Sequence, residues 1–242
     1  NIILSNGDPE YIPEGANPVE ALLMAGATLA EIMKALAKDR AENPADDLTT
    51  ALLNAELDGE KLTDDELGSF FILLCVAGNE TTRNSISHGM KLLTDNPAQR
   101  NLLLGDIDAH LSGAVEEIVR VASPVMHFRR TVTTDGTVLG GQELNAGDKI
   151  VLWYGSGNRD ESVFENPYDF DITRDNSNQI GFGGPGPHFC LGAHLARRQI
   201  NVLFRELLTR LPDIAVVGEP DYLRSNFING IKHLNVEFTP VG

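Results

Sequence analysis

The sequence predicts a mainly α protein with a minor β part, and three observations carry that prediction. Apolar residues recur at helical spacing through the first half of the chain; Val19, Leu22, Leu23, Leu29, Ile32, Met33 and Leu36 form one such stripe. The pattern changes at Phe128, where threonine, valine and glycine predominate and turn signals stand at Asp135-Gly136 and Ala146-Gly147. A long helical pattern then resumes from about Leu191 to Leu211. No internal repeat or low-complexity tract divides the sequence, so residues 1–242 read as one domain. The opening NIILSNGDPEYIPEG reads like the interior of a longer chain, so an N-terminal portion is expected to be missing.

The elements follow in order. Asn17-Pro18 starts a helix, with Asn as N-cap and Pro in the first turn, and Pro44 bounds it near Glu42. A second helix, about Asp47 to Leu57, stops at Asp58-Gly59. Thr63 and Glu66 form a capping box that opens a long helix over about 64–94. Its centre, Phe70 to Ala77, is apolar all round, which predicts deep burial. Pro97 starts a short helix, and an amphipathic helix over about 111–122 ends before Pro124. Short strands are predicted near Arg129–Thr134, Thr137–Leu139 and Lys149–Trp153, then irregular coil over 164–178. The tail has strands flanking Asn229-Gly230, a tight-hairpin signal.

Composition bounds the function. With 19 basic and 35 acidic residues the net charge is −16, which argues against a nucleic-acid or anionic-membrane binder. No apolar run approaches the ~20 residues of a transmembrane helix, and no signal peptide opens the sequence. The two cysteines, Cys75 and Cys190, stand far apart in unlike contexts. A disulfide framework is therefore not expected, and a reducing cytoplasm is the default location.

Three stretches carry chemistry. The densest is GFGGPGPHFCLGAHLAR, Gly181 to Arg197, with five glycines and two prolines around Cys190. Such a backbone follows a fixed, non-repetitive path. A cysteine just before a helix has its sulfur near the positive end of the helix dipole, which favours thiolate and suits a metal ligand. Read alone, the stretch is equally a glycine-rich turn holding an inert buried thiol. A Cys–His nucleophile with His188 is a competing chemistry, although no oxyanion-hole pattern accompanies it. Zinc is disfavoured because no second cysteine is near.

The second stretch is Ala77-Gly78-Asn79-Glu80-Thr81-Thr82, inside the long helix. Gly in a helix interior costs ~1 kcal/mol relative to Ala, and a buried Glu and Thr need partners. An acid beside an alcohol there can relay protons; the alternative is a polar patch where the helix surfaces. The third is Glu117-Ile-Val-Arg120, spaced to pair on one helix face. Alone it reads as a solvated surface pair of little energetic weight.

In that order, AGNETT, then ExxR, then a glycine-rich loop with Cys before a helix, the sequence resembles the cytochrome P-450 haem-thiolate monooxygenases over essentially its whole length. It is similar to the C-terminal part of a bacterial soluble member. The resemblance implies the family's mainly α fold with haem b as cofactor, and Cys190 as the axial thiolate ligand of the iron. It implies that Glu80 and Thr81 are the acid–alcohol pair supplying protons for dioxygen activation, and that Ala77 and Gly78 form the kink beside them. Glu117 and Arg120 match the structural ion pair behind the loop, which spans 181–192 and includes Phe182, Gly183 and Gly192 as cofactor contacts. His188 and Arg130 match haem-propionate contacts. Phe71, Leu74, Val125, Met126, Phe128, Phe227 and Ile228 are the candidate substrate-lining residues, with ordinary core packing as their alternative. A ferredoxin-type donor with its reductase, dioxygen and a hydrophobic small molecule are the implied partners. The donor is expected on the Cys190 side, where Arg197, Arg198 and Arg205 would supply positive charge.

Two departures from the family pattern stand out. The aromatic expected seven positions before the cysteine is replaced by Gly183, with Phe182 one earlier. That GFGG form, with AGNETTRN and LRSNFINGIKH, is similar to mycobacterial members acting on steroids and methyl-branched lipids. The ion pair's usual basic third partner, just before Phe170, is here Asp169, so either Arg174 substitutes or the third contact is absent. Alternatives on the same resemblance are a haem-thiolate peroxygenase or isomerase, or a non-catalytic haem-binding fragment.

Overall fold

The computed structural model describes residues 2–5, 8–12 and 14–240. The chain separates into two compact units, 1–80 and 81–242, with the boundary inside one long helix.

In the first unit, helix α1 (Pro18–Glu42) begins where the Asn17 side chain accepts the Val19 N–H. Helix α2 (Leu48–Asn54) is capped by Asp47, whose carboxylate accepts the Thr50 N–H at 2.8 Å and pairs with Arg40 at 2.5 Å. The Arg40 bond and the Thr50 N–H together hold the Asp47 carboxyl down to about 2. The helix ends three residues earlier than the sequence predicts. Glu56–Leu57 (β1) turns back on Glu60–Lys61 (β2) through Asp58 (φ 54°) and Gly59 (φ 86°). Two positive φ angles are what a right-twisted two-residue hairpin requires, and Asp-Gly supplies them. The expected capping box is present at the start of α3 (Asp64–Asp95): the Thr63 N–H donates to Glu66 Oε2 at 2.8 Å and the Glu66 N–H to Thr63 Oγ1 at 3.3 Å.

The middle of α3 departs from expectation. Phe70 to Val76 are half-buried or exposed, with Leu73 58 % exposed, and Ala77 and Gly78 are exposed. The apolar girth of this segment therefore exceeds what the structure covers. Helix α3 runs without interruption through the Ala77–Thr81 segment.

The second unit holds the main core. Met90 and Leu93 of α3 meet Leu103 of α4 (Pro97–Gly105), Leu111, Val115 and Ile118 of α5 (Ile107–Ala122), and, further along the chain, Ile200, Phe204 and Leu208 of the helix Ala193–Arg210. Close approach sets this core's geometry: a Cβ on Gly89 would lie 2.7 Å from the Phe204 ring, and one on Gly113 would lie 2.4 Å from the Ile172 carbonyl oxygen. Helix α5 starts a turn earlier than its apolar pattern shows, because Asp106 accepts the Ala109 N–H as N-cap.

Strand β3 (His127–Thr131) pairs antiparallel with β6 (Lys149–Trp153), and β4 (Thr137–Leu139) with β5 (Gln142–Leu144). A short helical turn, α6 (Tyr154–Gly157), follows β6, and the coil and glycine loop lead to α7 (Ala193–Arg210). Beyond α7, β7 (Ala215–Val216) pairs with β10 (Val236–Glu237), and β8 (Asp221–Tyr222) with β9 (Ile231–His233). Asn229-Gly230 is not a two-residue turn: neither residue has the positive φ that such a turn needs. Instead the Asn229 N–H donates to the Pro124 carbonyl, its side-chain amide donates to the Ala122 carbonyl, and its own carbonyl meets His88 at 3.0 Å. Gly230 sits in a tight spot, since a Cβ there would lie 3.1 Å from Leu223.

Candidate functional site

Glu117 and Arg120 lie one turn apart on α5, and both are wholly buried. All five N–H groups of the guanidinium are used. Nε and Nη2 donate to the two Glu117 carboxylate oxygens at 2.7 Å each; Nη1 donates to the Asn158 and Pro167 carbonyls, also at 2.7 Å; Nη2 reaches the Asp169 carbonyl at 3.0 Å. The Phe164 ring lies 5.3 Å from the guanidinium carbon. Such a pair resists the desolvation that normally offsets a buried salt bridge, because every donor has an acceptor. Glu117 Oε1 also accepts the Asp171 N–H at 2.9 Å and is 3.4 Å from Arg174 Nε. The basic third partner thus arrives from beyond Phe170, at Arg174, while Asp169 contributes only its carbonyl. Burial and the Arg120 charge push the neighbouring Arg159 below its usual value.

The loop from Gly181 rests on this cluster. Asn158 Oδ1 accepts the Ile180 N–H at 2.8 Å, the Gly183 N–H returns to the Ile180 carbonyl, and the Cys190 N–H donates to the Phe182 carbonyl at 2.9 Å. Gly183 (φ 87°) and Gly186 (φ 128°) take backbone angles that side-chain-bearing residues rarely adopt. The Ala193 N–H then donates to the Cys190 carbonyl as α7 begins. Phe182 packs against the core with the Arg197 guanidinium 4.2 Å over its ring. Arg197 forks onto Glu116 at 2.5 and 3.0 Å, and that bond, with Cys190 also nearby, keeps it more firmly charged. Asn158 and Glu116 were not singled out by sequence reasoning. Neither has a local pattern; only long-range pairing reveals them.

Cys190 is a free, half-buried thiol, and among the described residues it joins no group of three or more metal-ligating side chains. A Cβ on Gly184, Gly186 or Gly192 would meet no atom within 4 Å, and Phe189, Leu191 and Leu195 are exposed apolar residues around it. One sulfur with an apolar surround and open glycine backbone fits a flat apolar group held through that one sulfur. It does not fit a tetrahedral ion, which takes four ligands. His188 is exposed, and among the described residues no hydrogen bond joins it to Cys190, which removes the support for a Cys–His nucleophile. Arg130, on β3, donates to the Arg129 carbonyl and lies 5.6 Å over the Phe128 ring.

Five of the seven candidate substrate-lining residues come together in the second unit. Val125 bridges Ile228, the Met126 N–H donates to the Phe227 carbonyl, and the Phe128 and Phe227 rings meet edge-on at 5.5 Å. Phe71 and Leu74 are half-buried on α3 in the first unit. Glu80, 5 % exposed, is the last residue of that unit, and half-buried Thr81 the first of the next. Cys75 is half-buried, and burial pushes its thiol up, away from the thiolate a nucleophile needs. The positive field expected from α7 is largely cancelled: Arg197 pairs with Glu116 and Arg205 with Asp108 at 2.6 Å, leaving exposed Arg198. Among the described residues no helix is long and apolar enough to cross a membrane.

The comparisons with known proteins follow the same geometry. The methyl-branched lipid omega-hydroxylase of Mycobacterium tuberculosis is 50 % identical over 239 residues, 99 % of this chain and 55 % of the relative. The steroid C26-monooxygenase of Mycolicibacterium smegmatis is 43 % identical over 242 residues, all of this chain and 54 % of the relative. A solved Mycobacterium marinum cytochrome P450 in complex with pseudoionone superposes with a TM-score of 0.93 at 48 % identity, covering 98 % of this chain and 56 % of that one. The chain spans about half the length of the curated relatives it matches. It has their fold and corresponds to their C-terminal part. A family model described as Cytochrome P450 matches residues 20–212, from the first turn of α1 to just past α7. By that match, and by identities of 43–50 % across nearly its whole length, this chain belongs to the cytochrome P450 family.

Proposed function

We propose that the whole protein is a haem-dependent monooxygenase that inserts one atom of dioxygen into a C–H bond of a large apolar substrate. The observation that carries this reading is the loop bearing Cys190, laid on a buried, fully hydrogen-bonded Glu117–Arg120 cluster. Haem b, when bound, would supply the redox chemistry that no side chain offers. The chain's residues do the rest. Cys190 would ligate the iron, with its sulfur oriented by the Cys190 N–H to Phe182 bond. Phe182, Gly183 and Gly192 would border the group, and His188 and Arg130 would bind its propionates. Glu80 and Thr81 would pass protons inward from water, one carboxyl and one hydroxyl in series.

The substrate class is read from two supports. Relatives are named for methyl-branched lipids and for steroids. The cluster of Val125, Met126, Phe128 and Phe227, backed by buried Ile228, offers an apolar wall with aromatic edges. A branched fatty acid, steroid or terpenoid fits it. Electrons come from a ferredoxin-type donor with its reductase. The docking face is the open groove of about 550 Å³ beside the loop, lined by Glu116, Arg174, Asn176, Phe182, Phe189 and Arg197. Because its arginines are paired, docking there rests on fit more than on a cationic field. The reducing cytoplasm is the location that two free cysteines support.

The test is the absorption spectrum of the reduced, carbon-monoxide-bound full-length protein. A red-shifted Soret band reports thiolate ligation; a Soret band without that shift sinks the proposal. Titration with a methyl-branched fatty acid and with a cholesterol-type steroid then separates the two substrate classes, since only a ligand entering the site shifts the spectrum.

A further inference from the structure

We infer that Asn158 is a positioning residue for the cysteine loop, fixing the point at which the chain leaves the buried ion-pair cluster. The inference rests on the haem-thiolate reading above and adds a residue to it. Asn158 has no exposed surface. Its backbone N–H donates to the Tyr154 carbonyl, and its carbonyl accepts from Arg120. Its side chain works in two directions. Oδ1 accepts the Ile180 N–H at 2.8 Å, and Nδ2 donates to Ser123 Oγ at 3.0 Å. Ser123 caps α5 in a left-handed conformation, and its hydroxyl donates to the Arg120 carbonyl at 2.9 Å. One residue therefore joins three parts: its side-chain amide links the end of α5 to the start of the loop, and its backbone carbonyl holds the Arg120 guanidinium.

Little slack surrounds this joint. A Cβ on Gly157 would come 2.6 Å from Ile180 Cδ1, and one on Gly181 would come 2.6 Å from Val119 Cγ1. Ile180 and Gly181 are thus pressed onto α5 and α6 at the residue Asn158 holds. From there two further bonds reach the sulfur-bearing residue, Gly183 N–H to Ile180 and Cys190 N–H to Phe182. An apolar residue of similar size would fill the same space but would leave the Ile180 N–H unpaired. The hold on the loop is therefore specific to the amide oxygen, and the Ser123 bond serves to orient it.

The test compares Asn158→Ala, Asn158→Asp and Ser123→Ala in the full-length holoprotein, with two readouts. Amide hydrogen exchange reports the Ile180–Gly183 segment directly. The thiolate-type Soret band of the reduced, carbon-monoxide-bound form reports how long Cys190 keeps its ligation. In Asn158→Ala, exchange at Ile180–Gly183 should rise about tenfold, and the thiolate band should decay about tenfold faster, as expected for one lost buried hydrogen bond. Protection in α7 should not change. Asn158→Asp keeps the acceptor for Ile180, and Ser123→Ala leaves it in place, so both should stay near wild type at the loop. Unchanged exchange at Ile180–Gly183 in Asn158→Ala overturns the inference. So does an equal loss in Ser123→Ala, or a rise spread evenly over α7, which would mark plain destabilisation. Should Asn158→Ala not fold, Asn158→Ser, too short to reach Ile180, carries the same comparison. If wild type itself lacks the thiolate band, the haem-thiolate reading fails, while the exchange data still judge the hold of Asn158 on Ile180.

Discussion

Replacing the buried pair by apolar residues, Glu117→Leu with Arg120→Met, asks what the pair stabilises. Buried ion pairs elsewhere are often replaceable by hydrophobic residues at no cost, and sometimes with a gain of ~1–4 kcal/mol. This one should not be, because its partners are backbone groups. Without Arg120, the Asn158 and Pro167 carbonyls lose the donors that now lie at 2.7 Å. Without Glu117, the Asp171 N–H loses its acceptor at 2.9 Å. The Asp169 carbonyl fares better, since Arg174 Nη2 stays 3.3 Å away. Three orphaned groups at ~1–3 kcal/mol each sum to ~3–9 kcal/mol. That is a large share of the ~5–15 kcal/mol by which a folded domain is usually stable. Glu117→Leu alone leaves a buried guanidinium without its counter-ion, for a loss of ~3–5 kcal/mol. The assay is urea denaturation of the full-length protein followed by far-ultraviolet circular dichroism, on the single variants and the double. A double variant within ~1 kcal/mol of wild type would refute the reasoning, because the ion pair would then be dispensable and the backbone groups satisfied by water.

On the proposed monooxygenase reading, Thr81→Ala should uncouple the full-length protein: reductant is still consumed, but product per reductant falls severalfold, and unchanged coupling would remove Thr81 from the proposed proton path. His88 titrates below its usual value of 6.5, mainly because burial disfavours its charged form, with the Asn229 carbonyl opposing. A depressed histidine pKa means that the unfolded state takes up the proton first as pH falls, so stability is full above about 6.5 and declines below it. Unfolding free energies measured from about pH 7.5 to about pH 5.5 should show that decline, and His88→Gln should flatten it. A slope unaltered by His88→Gln would assign the titration to another group.

The parts of this fold that were legible in the sequence are those set by neighbours in the chain. Asn17-Pro18 and the Thr63–Glu66 box predict their helix starts because capping involves residues within three positions. The Glu117–Arg120 pair was legible as a spacing but not as a buried centre. An i,i+3 pair looks alike in water or in a core, and its other partners lie 38 to 57 residues downstream. Asn158 was invisible for the same reason. The order of AGNETT, ExxR and the cysteine loop identified the family where no single motif did. The apolar middle of α3 was read as buried, yet it is half-covered here, in a chain spanning 55 % of its relative's length. Asn229-Gly230 misled because its dipeptide signal is for a tight turn, whereas long-range bonds to Pro124, Ala122 and His88 decide its backbone.

The dependence of Arg120 on carbonyls at Asn158, Pro167 and Asp169 also bears on the order in which the chain acquires structure. Helix α5 is local and can form within itself, but its guanidinium has nowhere dry to go until the segment 38 to 49 residues later has wrapped around it. Closing loops of that length costs entropy before the contacts that repay it can form, so this step is expected to follow formation of the helix. Until then water solvates the charge, and the loop that begins at Ile180 has no fixed anchor. The cysteine loop is therefore expected to settle only after the pair behind it has dried.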